Sequence, residues 1–370
     1  MTSPQRVRAA FDGVPCDRTP VCEQAFASSV ASEILGYNAY TGSTDLHYFE
    51  ACAWLDGDGA HDEFVEKCYQ DVVALHRALK FDIFFLPWRM TERPTKRIDE
   101  NSILYGDPDG SNWRVYAYDP HSRTYGLAET AQRNDCPDKV IDNLRKIVDK
   151  HDGTTARHTV RPILQRAVRE LSDEFVVAGD AFCALPLDSG WLEATVLDPG
   201  LLAAWFEIVG HDQAQYIQAQ HDIGIWLING GGDLAFNSGL AYSPKFFEQA
   251  VAPAYRTQFK MSQRNGQKYI FRSDGDIWAI SDLLFGENCS DAYYEIDHHA
   301  GMTFDKLRAK YPELVLMGNV PCDLLHSGTP AQIREFAAWC KETAGSRLIL
   351  GSSNSILHGT SVENVYALYE

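Results

Sequence analysis

The chain has 370 residues, 45% apolar and 23% charged, enough to bury a large core as one or two domains. Its 33 Lys and Arg stand against 51 Asp and Glu, a formal charge of −18 that repels a phosphate backbone and excludes nucleic-acid binding. The most apolar stretch, 184–210, is broken by Asp188, Glu193, Asp198 and Glu207, so it falls short of the roughly 20 clean residues of a membrane span.

The opening Met1 to Arg6 runs straight into mixed polarity, with no apolar core of a secretion signal. The nine cysteines are scattered, odd in number and free of any Cys-x-x-Cys pair, which argues against a disulfide framework. Both features predict a cytoplasmic protein. Thr19 to Glu23 reads as a short first strand, followed by 38–58, an insertion rich in Tyr, Gly, Asp and Thr. The helical pattern Asp62 to Leu79 leads into a buried strand at 81–86. A second insertion, 103–127, has the turn Gly106-Asp107-Pro108-Asp109-Gly110 and alternating Trp113, Val115, Tyr116 and Tyr118, the pattern of a β-hairpin.

Further strands are expected at 174–179, 224–228, 268–272, 292–296, 314–317 and 347–350, with helices at 243–265 and 330–344 between them. Strand then helix, eight times over, predicts an α/β fold, a (β/α)8 TIM barrel forming one domain over 1–370. A doubly wound nucleotide fold is disfavoured, because no Gly-x-Gly-x-x-Gly follows the first strand and Gly230-Gly231-Gly232 lacks that spacing. In a barrel the loops after strands build the functional face, so 38–58 and 103–127 are expected as walls or a lid over the mouth, or as mere rim cover.

Polar residues stand just past the strand ends: Glu23, Arg89, Asp180, Asn229, Asp233, Arg272, Asp274, Glu295, His298, Asn319 and Asn354. Arg272 and Asp274, two apart on leaving a strand, point at the same mouth. There a buried Asp274 would serve as general acid, and Arg272 would steady a developing oxyanion. Glu295 and His298 are the next catalytic candidates; of His298 and His299, one should face the mouth and one the surface. The remaining strand-end residues, with Trp88 and Trp278, are expected to bind substrate. Asp274, Asp276, Glu295 and His298 form an oxygen-rich candidate metal set that matches no established ligand spacing. Trp54, Trp88, Trp113, Tyr116 and Trp278 are candidates for an apolar pocket, with core packing as the competing role.

Several segments together resemble the uroporphyrinogen decarboxylase superfamily, whose members include corrinoid-linked methyltransferases. They are Arg6 to Pro20, Gly239-Leu240-Ala241-Tyr242-Ser243-Pro244-Lys245-Phe246-Phe247, Arg272 to Trp278, Ala300-Gly301-Met302, Gly318-Asn319-Val320 and Glu363 to Glu370. The resemblance spans essentially the whole chain and implies the same barrel. It also implies departures. True uroporphyrinogen decarboxylases hold substrate carboxylates with arginines after the first strand; here no Arg occurs between Arg18 and Arg77, and the matching stretch is Glu23-Gln24-Ala25-Phe26. Their catalytic Asp falls at Arg89 and their His at Asn354. The methyltransferase branch binds zinc through His-x-Cys and a further Cys, where this chain has Arg272-Ser273-Asp274 and Ser352 and Ser353, so that thiolate site is absent.

The reading that follows is a methyltransferase-like enzyme that moves a methyl group between a small methoxyaromatic or ether substrate and a corrinoid carried by a partner protein. The alternatives are a decarboxylase of a smaller acid, with Arg89 or Arg272 holding the carboxylate, and a barrel that binds a ligand or corrinoid without turnover.

Overall fold

The computed structural model describes residues 1–131, 136–153 and 158–370. Helix α1 (Ser3–Asp12) begins at a capping box between Thr2 and Gln5 and ends at Gly13 in the left-handed region. Helices α2 (Ser28–Leu35), α3 (Thr44–Asp56) and α4 (Asp58–Leu79) follow. Along α4, Phe64, Cys68, Val72, Leu75 and Leu79 recur at helical spacing and are buried, which fixes the face it turns to the core.

The strands in chain order are β1 (Ile83–Phe84), β2 (Lys96–Arg97), β3 (Ser102–Tyr105), β4 (Arg114–Asp119), β5 (Thr124–Thr130), β6 (Val176–Phe182), β7 (Leu227–Gly231), β8 (Ala235–Phe236), β9 (Gly239–Leu240), β10 (Lys268–Arg272), β11 (Ala292–Tyr294), β12 (Val315–Val320) and β13 (Leu348–Ser352). Seven of them form one parallel sheet in the order β1-β6-β7-β10-β11-β12-β13.

That sheet curls. Ile83, Val176, Leu227, Ile270, Ala292, Val315 and Ile349, one from each strand, meet in a single inner core, while their chain neighbours pack outward under the helices. Burying each such side chain is worth about 1.5–3 kcal/mol. Helix α1 adds Val7, Ala10 and Phe11 to the same inner core and closes the end where the strands begin, with Phe11 edge-on to Trp226.

The strand expected at 19–23 is not formed as one. Only an isolated parallel bridge, Val21 to Leu350, stands there. The segment nevertheless bonds to both flanks of the sheet: Cys22 N donates to Leu350 O at 3.0 Å, and Asp82 N donates to Val21 O at 2.8 Å. Gly351 permits the close approach, because a Cβ there would lie 2.5 Å from Cys22 O. Asp82, fully buried, anchors the segment by accepting from Arg18 Nη1 at 2.6 Å, Arg6 Nη1 at 3.2 Å and Val21 N at 2.9 Å. Two guanidiniums and a backbone amide thus meet the cost of burying that charge. The arginines of the N-terminal motif are therefore fold determinants.

The two insertions also differ from expectation. Most of 38–58 is helix α3, and the hairpin at 103–127 belongs to a four-stranded antiparallel sheet, β2-β3-β4-β5, over 96–130. Helix and sheet share a core of their own, Tyr48, Ala51, Ile103, Tyr105 and Tyr125, with Tyr48 stacked on Tyr118 at 4.2 Å. They form one cap. The helix expected over 243–265 is continuous but widens to a π turn at Phe247–Val251, just before Pro253, which has no N–H to donate to the preceding turn.

Candidate functional site

The end of β10 carries the chemistry. Inward-facing Ile270 sets the alternation, so Arg272, two residues on, also enters the mouth of the curled sheet. Its Nη1 reaches Glu295 Oε1 at 3.4 Å, and its guanidinium lies 4.4 Å above the ring of Phe182 at the end of β6. Phe182 is 48% exposed, so one ring face remains open to a ligand.

Glu295 arrives by an unusual route. After β11, alternation would turn it toward the helices with Tyr293, but its backbone adopts φ +60°, the left-handed region that a non-glycine residue seldom occupies. Such a residue costs about 1–3 kcal/mol and is held only where its surroundings demand it. Here the turn delivers its carboxylate, buried, to Arg272 and to the side-chain amide of Gln24.

Asp274 completes the group. Its Oδ2 accepts from Asn354 Nδ2 at 2.8 Å. One carboxylate oxygen from each of Asp233, Asp274 and Glu295 lies within 4.8 Å of the others. Burial first, then the charges of Glu295, Asp233 and Asp297, push the Asp274 carboxyl up to about 7, against the pull of the Asn354 hydrogen bond. Burial also raises Glu295, while Arg272 and Gln24 draw it back. Three carboxylates therefore cluster where a single arginine pairs with Glu295, and the Asp274 carboxyl is held close to its midpoint at neutral pH.

Of the expected residues, Arg272, Asp274, Glu295, Asp233 and Asn354 meet at the mouth. Asp180 and Asn229 stand side by side in register on β6 and β7. Asp180 is ion-paired with Arg161, and Asn229 is buried with its Oδ1 unpartnered.

The others lie elsewhere. Glu23 is buried, accepting from Tyr369 OH at 2.8 Å, from Ser352 Oγ at 3.0 Å and N at 3.2 Å and from Tyr294 OH at 3.4 Å; burial pushes its carboxyl up to about 7. Arg89 belongs to the cap, bound through Nε and Nη2 to the fully buried Glu50, which also meets His61 Nε2 at 3.0 Å. Trp54 stacks on His61 at 3.5 Å, Tyr116 lies in β4 against Tyr105 and Tyr125, and Trp113 stands just before that strand. Trp88 is 80% exposed, with its ring edge-on to His47.

Trp278 Nε1 donates to Gly301 O at 3.1 Å, and its ring lies beside Lys310. Asn319 is fully buried against Cys340 and Ile296 O. His298 stands between Phe336 and Trp339, whose ring centres lie 5.2 and 5.8 Å away, and burial lowers its pKa. His299 pairs with Asp323 at 3.0 Å, which raises it. Asp276 accepts from Trp278 N at 3.0 Å.

The expected metal set is thus not assembled: Asp276 and His298 lie outside the carboxylate group, and Asp233 takes their place. Nor do the residues fit a thiolate-bound zinc. Ser352 Oγ is engaged by Glu23, and Cys322 Sγ accepts from Ser355 N at 3.4 Å.

Gln24 was not singled out from sequence. Its signal was there, since it lies in the Glu23-Gln24 stretch that replaces the family's substrate-binding arginines. Arg161 carried none, because it stands before a helix, far from any strand end.

The profile of the family described as Uroporphyrinogen decarboxylase (URO-D) matches residues 140–370, well over half of the chain. The chain belongs to this family. As a member it is expected to share the enzymatic character of URO-D proteins, and its matched region contains Asp233, Arg272, Asp274, Glu295 and Asn354. No curated protein sequence matches the chain. Among solved structures, a sugar phosphate isomerase/epimerase from Parabacteroides distasonis ATCC 8503 is similar over 96% of each chain, at 9% identity and a TM-score of 0.34, a likeness too loose to carry an argument. Among the described residues of this URO-D protein, no helix is long and apolar enough to cross a membrane.

Proposed function

We propose that the protein demethylates a small methoxyaromatic or ether substrate, passing the methyl group to a corrinoid carried by a partner protein. We read the curled sheet, with segment 20–22 between its flanks, as an eight-unit barrel whose mouth is the active site. The observation that carries the proposal is the convergence of Asp233, Asp274 and Glu295 at the strand ends, with Arg272 paired to Glu295 and burial pushing the Asp274 carboxyl up to about 7.

A reduced corrinoid supplies the methyl acceptor, so the chain needs no nucleophile of its own. As the C–O bond breaks, its electron pair goes to oxygen, which takes the proton of Asp274. Arg272 offers its guanidinium to the negative charge growing on that oxygen. The open ring face of Phe182 receives an aromatic substrate. A delivered corrinoid also suits the rim: Trp88, Phe182, Phe236 and Leu357 are large, exposed and placed after β1, at the ends of β6 and β8, and after β13.

The surplus of negative charge at the mouth opposes an acid substrate, and Arg89, held by Glu50, is not free to clamp one. All nine cysteines are unpaired, which supports a reducing compartment such as the cytoplasm. The test is to incubate the protein with methoxyaromatics and a reduced corrinoid protein. A cobalt-dependent spectral change with release of the phenol is expected. Release of carbon dioxide from a small acid, or tight binding with no product, would overturn the reading.

A further inference from the structure

The mouth carboxylates share too few protons and too few cations for all three to be alike, so something decides which one keeps the proton. The loop after segment 20–22 supplies a side chain that touches two of the residues involved. Gln24 Nε2 donates to Glu295 Oε1, and lies 3.5 Å from Asn354 O. Asn354 in turn donates to Asp274, and Arg272 donates to the same Glu295 oxygen.

The orientation of the Gln24 amide follows from these contacts. Reversed, its carbonyl oxygen would face the backbone carbonyl of Asn354, which has no proton to give, and could bond to Glu295 only as the protonated acid. The nitrogen therefore faces Glu295 and Asn354, and Oε1 is left buried without a partner.

We propose that Gln24 is a positioning residue for the mouth carboxylates, its amide pinning Glu295 as the anion so that the shared proton rests on Asp274. Glu295 Oε1 receives two N–H donors, one of them cationic, and donors to a carboxylate favour its charged form. Asp274 receives a single neutral amide. The charged groups around Asp274 are Glu295, Asp233 and Asp297, with Asp276 on its own loop and Arg272 turned to Glu295. Burial disfavours the charged form of Asp274 first, and the negative charge fixed on Glu295 close by adds to that preference for the proton.

The inference rests on the acid role given to Asp274 above, but its test reads protonation without turnover. The full chain, labelled with carbon-13 at aspartate and glutamate side-chain carboxyls, is titrated by NMR, with Asp274→Asn and Glu295→Gln assigning the two signals. In the wild type, Asp274 should titrate near neutrality and Glu295 at lower pH than Asp274. In Gln24→Met, which keeps length but removes the donor, the Asp274 midpoint should fall by about one pH unit and that of Glu295 should rise, as expected for a coupled pair.

Should Gln24→Met fail to fold, Gln24→Ala serves in its place, since it also withdraws the donor from Glu295 and should lower the Asp274 midpoint in the same sense. Unchanged midpoints in Gln24→Met, or a wild type in which Glu295 holds the proton, would overturn the proposal. If instead the midpoints move as stated while Asp274→Asn turns over normally, the acid role fails and the positioning by Gln24 stands.

Discussion

Two carboxylate centres of the molecule are built in opposite ways. In the cap, Glu50 is fully buried and matched, with Arg89 on both oxygens and His61 on one. At the mouth, Asp233, Asp274 and Glu295 converge where a single arginine pairs with Glu295, and Asp274 is held near its titration point at neutral pH. A matched charge fixes a shape, whereas a mismatched group keeps a proton in reserve. The comparison assigns Glu50 and Arg89 to architecture and Asp274 to chemistry, although sequence position alone had put Arg89 in the mouth.

The largest effect should come from breaking the matched centre. Arg89→Ala leaves Glu50 buried with only His61, and should lower stability by about 3 kcal/mol, the low end for a broken buried pair, measured by urea unfolding. A loss below about 1 kcal/mol would place the pair among ordinary surface contacts and dissolve the contrast.

Next comes the mismatched centre. Asp274→Asn should cut turnover about a hundredfold, equivalent to about 2.7 kcal/mol of barrier, with the melting temperature little changed. Near-normal turnover would move the acid role to Glu295. Arg334→Ala, which breaks an exposed pair with Glu370, sets the floor for both measurements at under about 1 kcal/mol.

The pH dependence sharpens the same contrast. Glu23 and Asp274 are pushed up to about 7 in the folded chain, from ordinary values of 4.5 and 3.8. Between roughly pH 4 and 7 the folded state therefore binds more protons than the unfolded one, and these two groups make stability fall as pH rises through that window. Glu23→Gln removes one of them. Its decline in stability from about pH 4.5 to 7 should be shallower than that of the wild type by on the order of 1–2 kcal/mol, read from melting temperature against pH. Parallel curves would show that Glu23 is ionised throughout.

The parallel sheet was legible because inner and outer side chains alternate along each strand, and the strand at 268–272 was placed correctly. Most of the others begin and end later than expected, since their last residues, such as Asp180, Asn229 and Ser352, are polar and read as loop. Arg272 and Asp274 were legible as a pair because a spacing of two on leaving a strand is a geometric statement.

Glu295 was named for its place past a strand end, but the left-handed turn that aims it has no sequence mark, since nothing but packing forces a glutamate there. Gln24 was passed over because its partners are Glu295 and Asn354, far along the chain. Helix α3 was read as an irregular insertion because its apolar residues show no helical stripe: it is buried on several sides, between the cap sheet and α4, with Asp45, His47 and Glu50 among its buried positions.

The cap also constrains how such a chain can be rearranged. Helix α3 and the sheet over 96–130 are separated in sequence by α4 and β1, yet the core they share contains side chains from both. A crossover between them, joining the first 80 residues of this protein to the remainder of another, would leave Tyr48 and Ala51 without their partners; one at 131 would carry the unit whole. Chimeras that exchange this unit must therefore inherit both pieces from one parent, and the span 44–130 is the shortest heritable block that does so.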